Sequence, residues 1–288
     1  MDSHHSYALV TGASTGLGKA FAIQCARTGK NVILVALPGE GLENLSREIS
    51  SRFGVDAPWI ELDLTENDAI QRLSSWALSK YRIDLLINNA GFGGTQSING
   101  ASFEYLDKMI KLNVRATSML TYLLLPELKS HGNAYVLNVS SLIAYTPVPY
   151  KTFYPASKSF IYFFSRGLRE EFKEEGIHVS VLMAGPMNTN PNVTKRIEAL
   201  GWKGRFVALS PDEMARLAIK GLLNKRAVII PGLGNKLSFL VSKILPASIR
   251  IPMLKRVFIR ELKDGYGWIT HQDGASNPVY SSGRLQKK

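Results

Sequence analysis

Residues 140–158 read Ser-Ser-Leu-Ile-Ala-Tyr-Thr-Pro-Val-Pro-Tyr-Lys-Thr-Phe-Tyr-Pro-Ala-Ser-Lys, with two adjacent serines, three tyrosines and two lysines. A free phenol titrates at about 10 and exchanges protons poorly at neutral pH. A neighbouring cation favours the phenolate and makes the group usable as an acid or base. Tyr154 has Lys158 four residues on, in a segment whose Phe153, Phe160, Ile161, Phe164 and Leu168 form an apolar helical face. Residues four apart share one face of a helix. Tyr150 and Lys151 are adjacent and point apart, beside the proline-bracketed loop Pro147-Val148-Pro149, and Tyr145 has no cation at helical spacing. Tyr154 is therefore the candidate proton-transfer group, although Tyr-x-x-x-Lys taken alone is a common spacing.

A scaffold must hold this pair, and the apolar pattern predicts one. Strand signals fall at 7–10, 32–36, 59–62, 85–88, 134–139, 179–183 and 228–230. Amphipathic helical stretches fall at 16–28, 41–53, 66–80, 103–130, 153–175 and 211–224. Several strands are apolar almost throughout, as when helices cover both faces of a sheet. Sustained strand–helix alternation predicts an α/β fold: a Rossmann-type, doubly wound parallel sheet of about seven strands in a single domain. The expected organisation is a catalytic domain over 1–232, a basic, apolar helical extension over 233–263, and a polar tail over 264–288.

The chain has 288 residues, is 45% hydrophobic and 20% charged, and carries a formal charge of +12. Those proportions are ordinary for a globular protein. No apolar run reaches the 18–20 residues of a membrane-spanning helix. The amino terminus shows no apolar core of a signal peptide, and a lone cysteine, Cys25, suits a reducing compartment; a cytoplasmic protein is expected. Cys25 itself reads as core packing. The five histidines are scattered without metal-ligand spacing, so no metal is expected. Basic charge is concentrated near the carboxyl terminus: between Lys236 and Lys263 lie Lys236, Lys243, Arg250, Lys255, Arg256, Arg260 and Lys263 against the single acid Glu261. Basic and large apolar residues mixed in this way suit peripheral contact with an anionic membrane at its cytoplasmic face, or helices docked on the domain or a partner. Pro246 and Pro252 are expected to break any single long helix there. No nucleic-acid motif or aromatic stacking platform accompanies the charge, so no nucleic-acid partner is expected.

The first strand runs into Thr11-Gly12-Ala13-Ser14-Thr15-Gly16-Leu17-Gly18 and then a helix. Glycines there let the backbone approach a pyrophosphate, and the helix amino terminus offers N–H groups to the anion. At the end of the second strand an acid would favour NAD and a base NADP. The residues are Ala36 and Leu37, neither acidic nor basic. The missing acid favours NADP(H) over NAD(H), with hydroxyls of Ser14 and Thr15 to meet its extra phosphate. Asp63-Leu64 ends the third strand, where Asp63 could accept a bond from the adenine amino group or, with Thr65, cap the next helix.

Taken together, the motifs resemble the short-chain dehydrogenase/reductase family from about residue 6 to 230. The match rests on Thr11-Gly12-x3-Gly16-x-Gly18, Asp63-Leu64, Asn88-Asn89-Ala90-Gly91, Asn113, Asn138-Val139-Ser140-Ser141, Tyr154-x3-Lys158 and Gly185-Pro186-Met187-Asn188-Thr189. The resemblance selects Ser141 over Ser140, because the family's serine lies thirteen residues before the tyrosine. It implies a tetrad of Asn113, Ser141, Tyr154 and Lys158. Tyr154 would exchange the proton, Ser141 would hold the substrate oxygen, and Lys158 would lower the phenol pKa and hold the nicotinamide ribose. Asn113 would kink its helix and hold a water. The implied cofactor contacts are Gly12, Ser14, Thr15, Gly16, Leu17, Gly18, Leu37, Asp63, Leu64, Asn89, Ala90 and Gly91, with Tyr154 and Lys158. Gly185, Met187 and Thr189 follow the sixth strand, where this chain has Ala184-Gly185-Pro186 in place of the family's usual Pro-Gly.

The reaction implied is NAD(P)-dependent interconversion of a secondary alcohol and a ketone. The segment 187–210, with Ile197, Leu200, Trp202 and Phe206, reads as a mixed-apolar lid, and Phe92, Ile143 and Tyr150 are further pocket candidates. These features suggest a small lipophilic substrate of steroid, 3-ketoacyl or long-chain-base type. The rival reading is a catalytically silent cofactor sensor on the same fold. The resemblance implies a homodimer or homotetramer through the helix that carries Lys158, on which Phe160, Phe163 and Phe164 belong to the core or the subunit interface.

Overall fold

A computed structural model describes residues 6–187 and 206–263. Its strands are β1 (Ser6–Thr11), β2 (Asn31–Ala36), β3 (Trp59–Glu61), β4 (Arg82–Asn88), β5 (Ala134–Ser141), β6 (Ile177–Ala184) and β7 (Val228–Ile229). They form one sheet of order β3-β2-β1-β4-β5-β6-β7, and every pairing is parallel. The described helices are α1 (Gly16–Arg27), α2 (Leu42–Phe53), α3 (Ala69–Leu78), α4 (Phe103–Ile110), α5 (Thr117–Ser130), α6 (Phe153–Glu171), α7 (Pro211–Leu223), α8 (Leu233–Ile244) and α9 (Ala247–Lys263).

Strand periodicity explains the layering, since successive side chains point to opposite sheet faces. On β1, Ala8 and Val10 join the core with α1, α2 and α7, while Leu9 faces the opposite core with α3 and α5. On β2, Val32 and Leu34 face the first core, and Ile33 and Val35 the second. Both cores demand apolar residues, which is why these strands read as continuous apolar runs. Cys25 is buried within the first core, and burial pushes its thiol up to about 12.

Strand order reverses between β1 and β4, so the carboxyl ends of these strands open a crevice for ligand. The glycine-rich turn leaves β1 at this point, and Asn88-Asn89-Ala90-Gly91 leaves β4 beside it.

Two local departures concern the long helices. The stretch 103–130 is α-helical at both ends, but Lys111–Ala116 between them is π-helical. At the carboxyl end, the chain breaks between α8 and α9 at Pro246, whereas Pro252 lies inside α9. A helix-interior proline removes one N–H donor and strains one turn; it can bend a helix without ending it. The expected tail 264–288, and Asn188–Arg205 of the expected lid, lie outside the described residues.

Candidate active site

The turn after β1 is held by its neighbours across the switch point. Thr11 Oγ1 accepts hydrogen bonds from the backbone N–H groups of Asn89 and Ala90, each at 3.0 Å. Asn89 Nδ2 returns bonds to Thr11 O at 3.0 Å and Gly12 O at 3.3 Å. The Asn89 side chain therefore braces the turn beside which it was expected to line the cofactor.

Gly12 and Gly16 adopt φ values of +65° and +54°. These lie in the left-handed region that side chains other than hydrogen disfavour. A Cβ on Gly18 would stand 1.7 Å from Gly12 O, so only glycine lets α1 pack against the turn. Helix α1 starts behind Thr15, whose side chain makes no cap, and its first turn carries no acid. These free N–H groups and the positive end of the helix dipole fit a pyrophosphate. The residues present thus suit a dinucleotide. Leu17 is buried in the core, leaving its backbone to face a ligand.

Around the adenosine end the residues behave unequally. Ala36 is buried at the end of β2, and Leu37, beyond it, is half-buried. Ser14 Oγ donates to Glu40 Oε2, which brings a carboxylate to the mouth of the turn. Asp63 Oδ1 accepts from Thr65 N at 2.9 Å and Thr65 Oγ1 at 2.7 Å, and Lys108 Nζ lies 3.6 Å from Oδ2. Burial raises the Asp63 pKa, but the Thr65 bonds and the Lys108 charge outweigh it and hold the carboxyl below its ordinary value. Asp63 with Thr65 forms a local turn, because α3 starts only after Asp68. Leu64 is buried in the second core, so only its main chain remains for a ligand.

Four side chains meet at the carboxyl ends of β4 and β5. Ser141 ends β5 beside the Tyr154 phenol, whose ionised form its hydroxyl favours. Its Oγ also lies 3.3 Å from Ala184 O, an acceptor at the end of β6. Tyr154 is the second residue of α6, and Lys158 Nζ lies 5.9 Å from the centre of its ring. Lys158 is only 6% exposed and donates to Val139 O at 2.9 Å. Ser140 faces the other way: its Oγ donates to Lys158 O at 2.7 Å and ties α6 to β5.

Asn113, 1% exposed, lies in the π-helical stretch. Its Oδ1 accepts from Phe92 N at 3.0 Å, and its Nδ2 donates to Phe92 O at 2.8 Å and Ser157 Oγ at 3.0 Å. The expected helix distortion is present, and the amide is spent on the β4 loop and on α6. Such π segments satisfy one misplaced residue at the cost of one stretched turn, and they recur at functional sites.

Electrostatics differ from the sequence expectation. Burial pushes the Tyr154 phenol above its ordinary value, partly offset by the Ser141 hydroxyl. Burial also pushes the Lys158 ammonium down from 10.5 to about 8. Desolvation disfavours both charged forms, and burial is the larger influence on the phenol.

The Gly91–Gly94 run contributes what spacing alone did not reveal. A Cβ on Gly91 would stand 2.9 Å from Asn113 Oδ1 and 3.3 Å from Lys158 Nζ. On Gly93 it would stand 2.4 Å from the Tyr154 ring. The signal was visible as three glycines within four residues after β4, but its target on α6 lies some sixty positions away. Tyr150, in the loop before α6, has φ +66°, and its carbonyl accepts from Gln96 N at 2.6 Å. Ile143 lies in the short helical turn after Ser141, and its N–H reaches Ser141 Oγ at 3.4 Å.

After β6, a Cβ on Gly185 would lie 2.2 Å from Asn235 Oδ1, so α8 packs tightly on that turn. Met187 pairs with Leu209 in an isolated parallel bridge. Thr189 lies outside the described residues.

A family model described as short chain dehydrogenase matches residues 6–199. The chain belongs to this family. Among relatives of the chain, a very-long-chain 3-oxoacyl-CoA reductase of Anas platyrhynchos is 35% identical over 182 residues. That alignment covers 62% of this chain and 58% of the duck protein, so the match spans less than two thirds of its relative. A solved 7β-hydroxysteroid dehydrogenase superposes with a TM-score of 0.80 at 25% identity, covering 88% of this chain and 97% of the other. L-sorbose reductase from Gluconobacter frateurii, solved with NADPH and L-sorbose, gives a TM-score of 0.68 at 26% identity, covering 77% and 92%.

Proposed function

We propose that this short-chain dehydrogenase is an NAD(P)(H)-dependent oxidoreductase that interconverts a secondary alcohol and a ketone on a lipophilic substrate. The observation that carries the reading is the meeting of Tyr154, Ser141, Lys158 and Asn113 beside a turn fitted for pyrophosphate. The nicotinamide, when bound, supplies or accepts the hydride. In reduction, the Tyr154 phenol gives its proton to the carbonyl oxygen, and Ser141 Oγ–H holds that oxygen. In oxidation both transfers reverse. Lys158, charged below about pH 8, stabilises negative charge left on the phenolate. Asn113 is a positioning residue: it fixes the Phe92 backbone and, through Ser157, the first turn of α6.

Gly12, Ser14, Thr15, Gly16 and the Leu17 backbone would hold the pyrophosphate side, with Asp63, Ala90 and Gly91 towards adenosine. NADP(H) is the favoured cofactor, because Ala36 and Leu37 present no carboxylate to its 2′-phosphate. Glu40 must release Ser14 to admit it. The substrate class draws on the names of the acyl-CoA reductase and steroid dehydrogenase relatives. Assembly into a homodimer or homotetramer is supported by Tyr122, Phe160 and Phe163, exposed on α5 and α6.

The test is fluorescence titration with NADPH and NADH, followed by turnover of steroid ketones and 3-oxoacyl thioesters by the wild type and Tyr154→Phe. Binding of NADPH, with turnover lost in the variant, is expected. Absence of cofactor binding, or full turnover by Tyr154→Phe, would sink the proposal.

A further inference from the structure

Helix α8 leaves an apolar stripe uncovered. Leu233, Leu237, Leu240, Val241 and Ile244 are each more than half exposed. Their spacing of 0, 4, 7, 8 and 11 residues puts them on one helical face. On α9, Ile249, Met253 and Val257 repeat the pattern at four-residue intervals, each about half exposed. Globular surfaces expose single apolar residues freely, but contiguous stripes mark a contact. No described helix is long and apolar enough to cross a membrane.

Charge around the stripe narrows the partner. Over α8 and α9, from 233 to 263, there are seven cations and a single acid, Glu261. Lys236 and Lys243 follow the edge of the α8 stripe at a seven-residue spacing. They also line a cavity of about 570 Å³ between α6, α7, β7 and α8, joined there by Lys220 and Arg226. Among the described residues none of these four cations makes an ion pair. The cavity also has aromatic walls: Tyr145 meets Tyr162 at 4.8 Å and Phe239 at 4.7 Å between ring centres. Lys243 Nζ sits 4.8 Å over Phe239. These contacts hold α8 on the body with its apolar stripe turned outward.

We infer that α8 and α9 dock this protein on an anionic phospholipid bilayer, with the apolar stripe in the acyl boundary and Lys236 and Lys243 on headgroup phosphates. Basic residues flanking an exposed apolar stripe are the arrangement of an in-plane interfacial helix. A second copy of the same face is a poor alternative, because a twofold contact would bring like charges together with a single acid, Glu261, to meet seven cations. Helix α9 packs on the loop before α6, with Lys151 Nζ 5.0 Å over the Phe258 ring. This inference rests on the surface alone and stands whether or not the proposed reaction is correct.

The experiment is co-sedimentation of the full chain with phosphatidylcholine vesicles, with and without about 30% phosphatidylglycerol, alongside its mass by analytical ultracentrifugation. Binding at least tenfold tighter to the anionic vesicles and weakened by salt is expected, as polybasic contacts require. Lys236→Glu with Lys243→Glu should lower that binding tenfold or more. Leu240→Asp with Ile244→Asp should abolish it without moving the thermal midpoint by more than about 2 °C. Equal partitioning to both vesicle types, or none, overturns the inference. So does loss of a dimer mass in Leu240→Asp/Ile244→Asp without any vesicle binding by the wild type.

Discussion

Lys158 is a buried cation with a measurable thermodynamic signature. Its pKa falls from 10.5 to about 8 because burial disfavours the ammonium. At about 1.36 kcal/mol per pKa unit, keeping it charged costs the cofactor-free fold about 3 kcal/mol near pH 7. The unfolded chain binds the proton more tightly, so between about pH 8 and 10.5 it carries more protons than the folded state. Stability contributed through this residue therefore rises with pH across that window and is at its lowest below about pH 8. Lys158→Met removes the titration while leaving a side chain of similar length. Its loss of the bond to Val139 O adds an offset that does not vary with pH. Urea unfolding of both proteins at pH 7, 8, 9 and 10 isolates the effect, because all other groups cancel in the difference. The wild type should gain about 2–3 kcal/mol relative to Lys158→Met from pH 7 to pH 10. Two curves that stay parallel within about 0.5 kcal/mol would refute the reasoning, since the lysine would then titrate alike in both states.

Three further outcomes follow from named contacts. Gly93→Ala drives a Cβ to 2.4 Å from the Tyr154 ring, so kcat should fall about 100-fold through misplacement, while NADPH titration changes less than about twofold. Glu40→Gln removes a carboxylate bound to Ser14 at the turn; direct titration should show NADPH binding about fivefold to tenfold tighter with NADH nearly unchanged. Asn113→Ala removes its bonds to the Phe92 N–H and C=O and to Ser157 Oγ; denaturant melts at pH 7 should lose about 1–3 kcal/mol, the cost of lost, partly buried hydrogen bonds.

Strand and helix positions were legible because both cores impose local periodicity. Apolar runs at 32–36 and 134–139 became β2 and β5, extended by one or two residues at their ends. Spacing also separated Tyr154 from Tyr145 and Tyr150: Tyr145 belongs to the aromatic wall beside α8, and Tyr150 to the loop before α6. The π-helical turn at Asn113 was less legible, since its cause is a pair of bonds to Phe92, twenty-one residues earlier in the chain.

The sequence by itself determined the α/β layering, the glycine turn and the i, i+4 pairing of Tyr154 with Lys158, because each depends on residues close together along the chain. Only the tertiary structure decided that Asn89 braces the turn, that Glu40 reaches Ser14, and that Gly93 leaves room for the Tyr154 ring. It also decided the electrostatics. Spacing puts a cation near a phenol, but desolvation depends on how many other elements close around both. Here that burial lowers the lysine and raises the tyrosine.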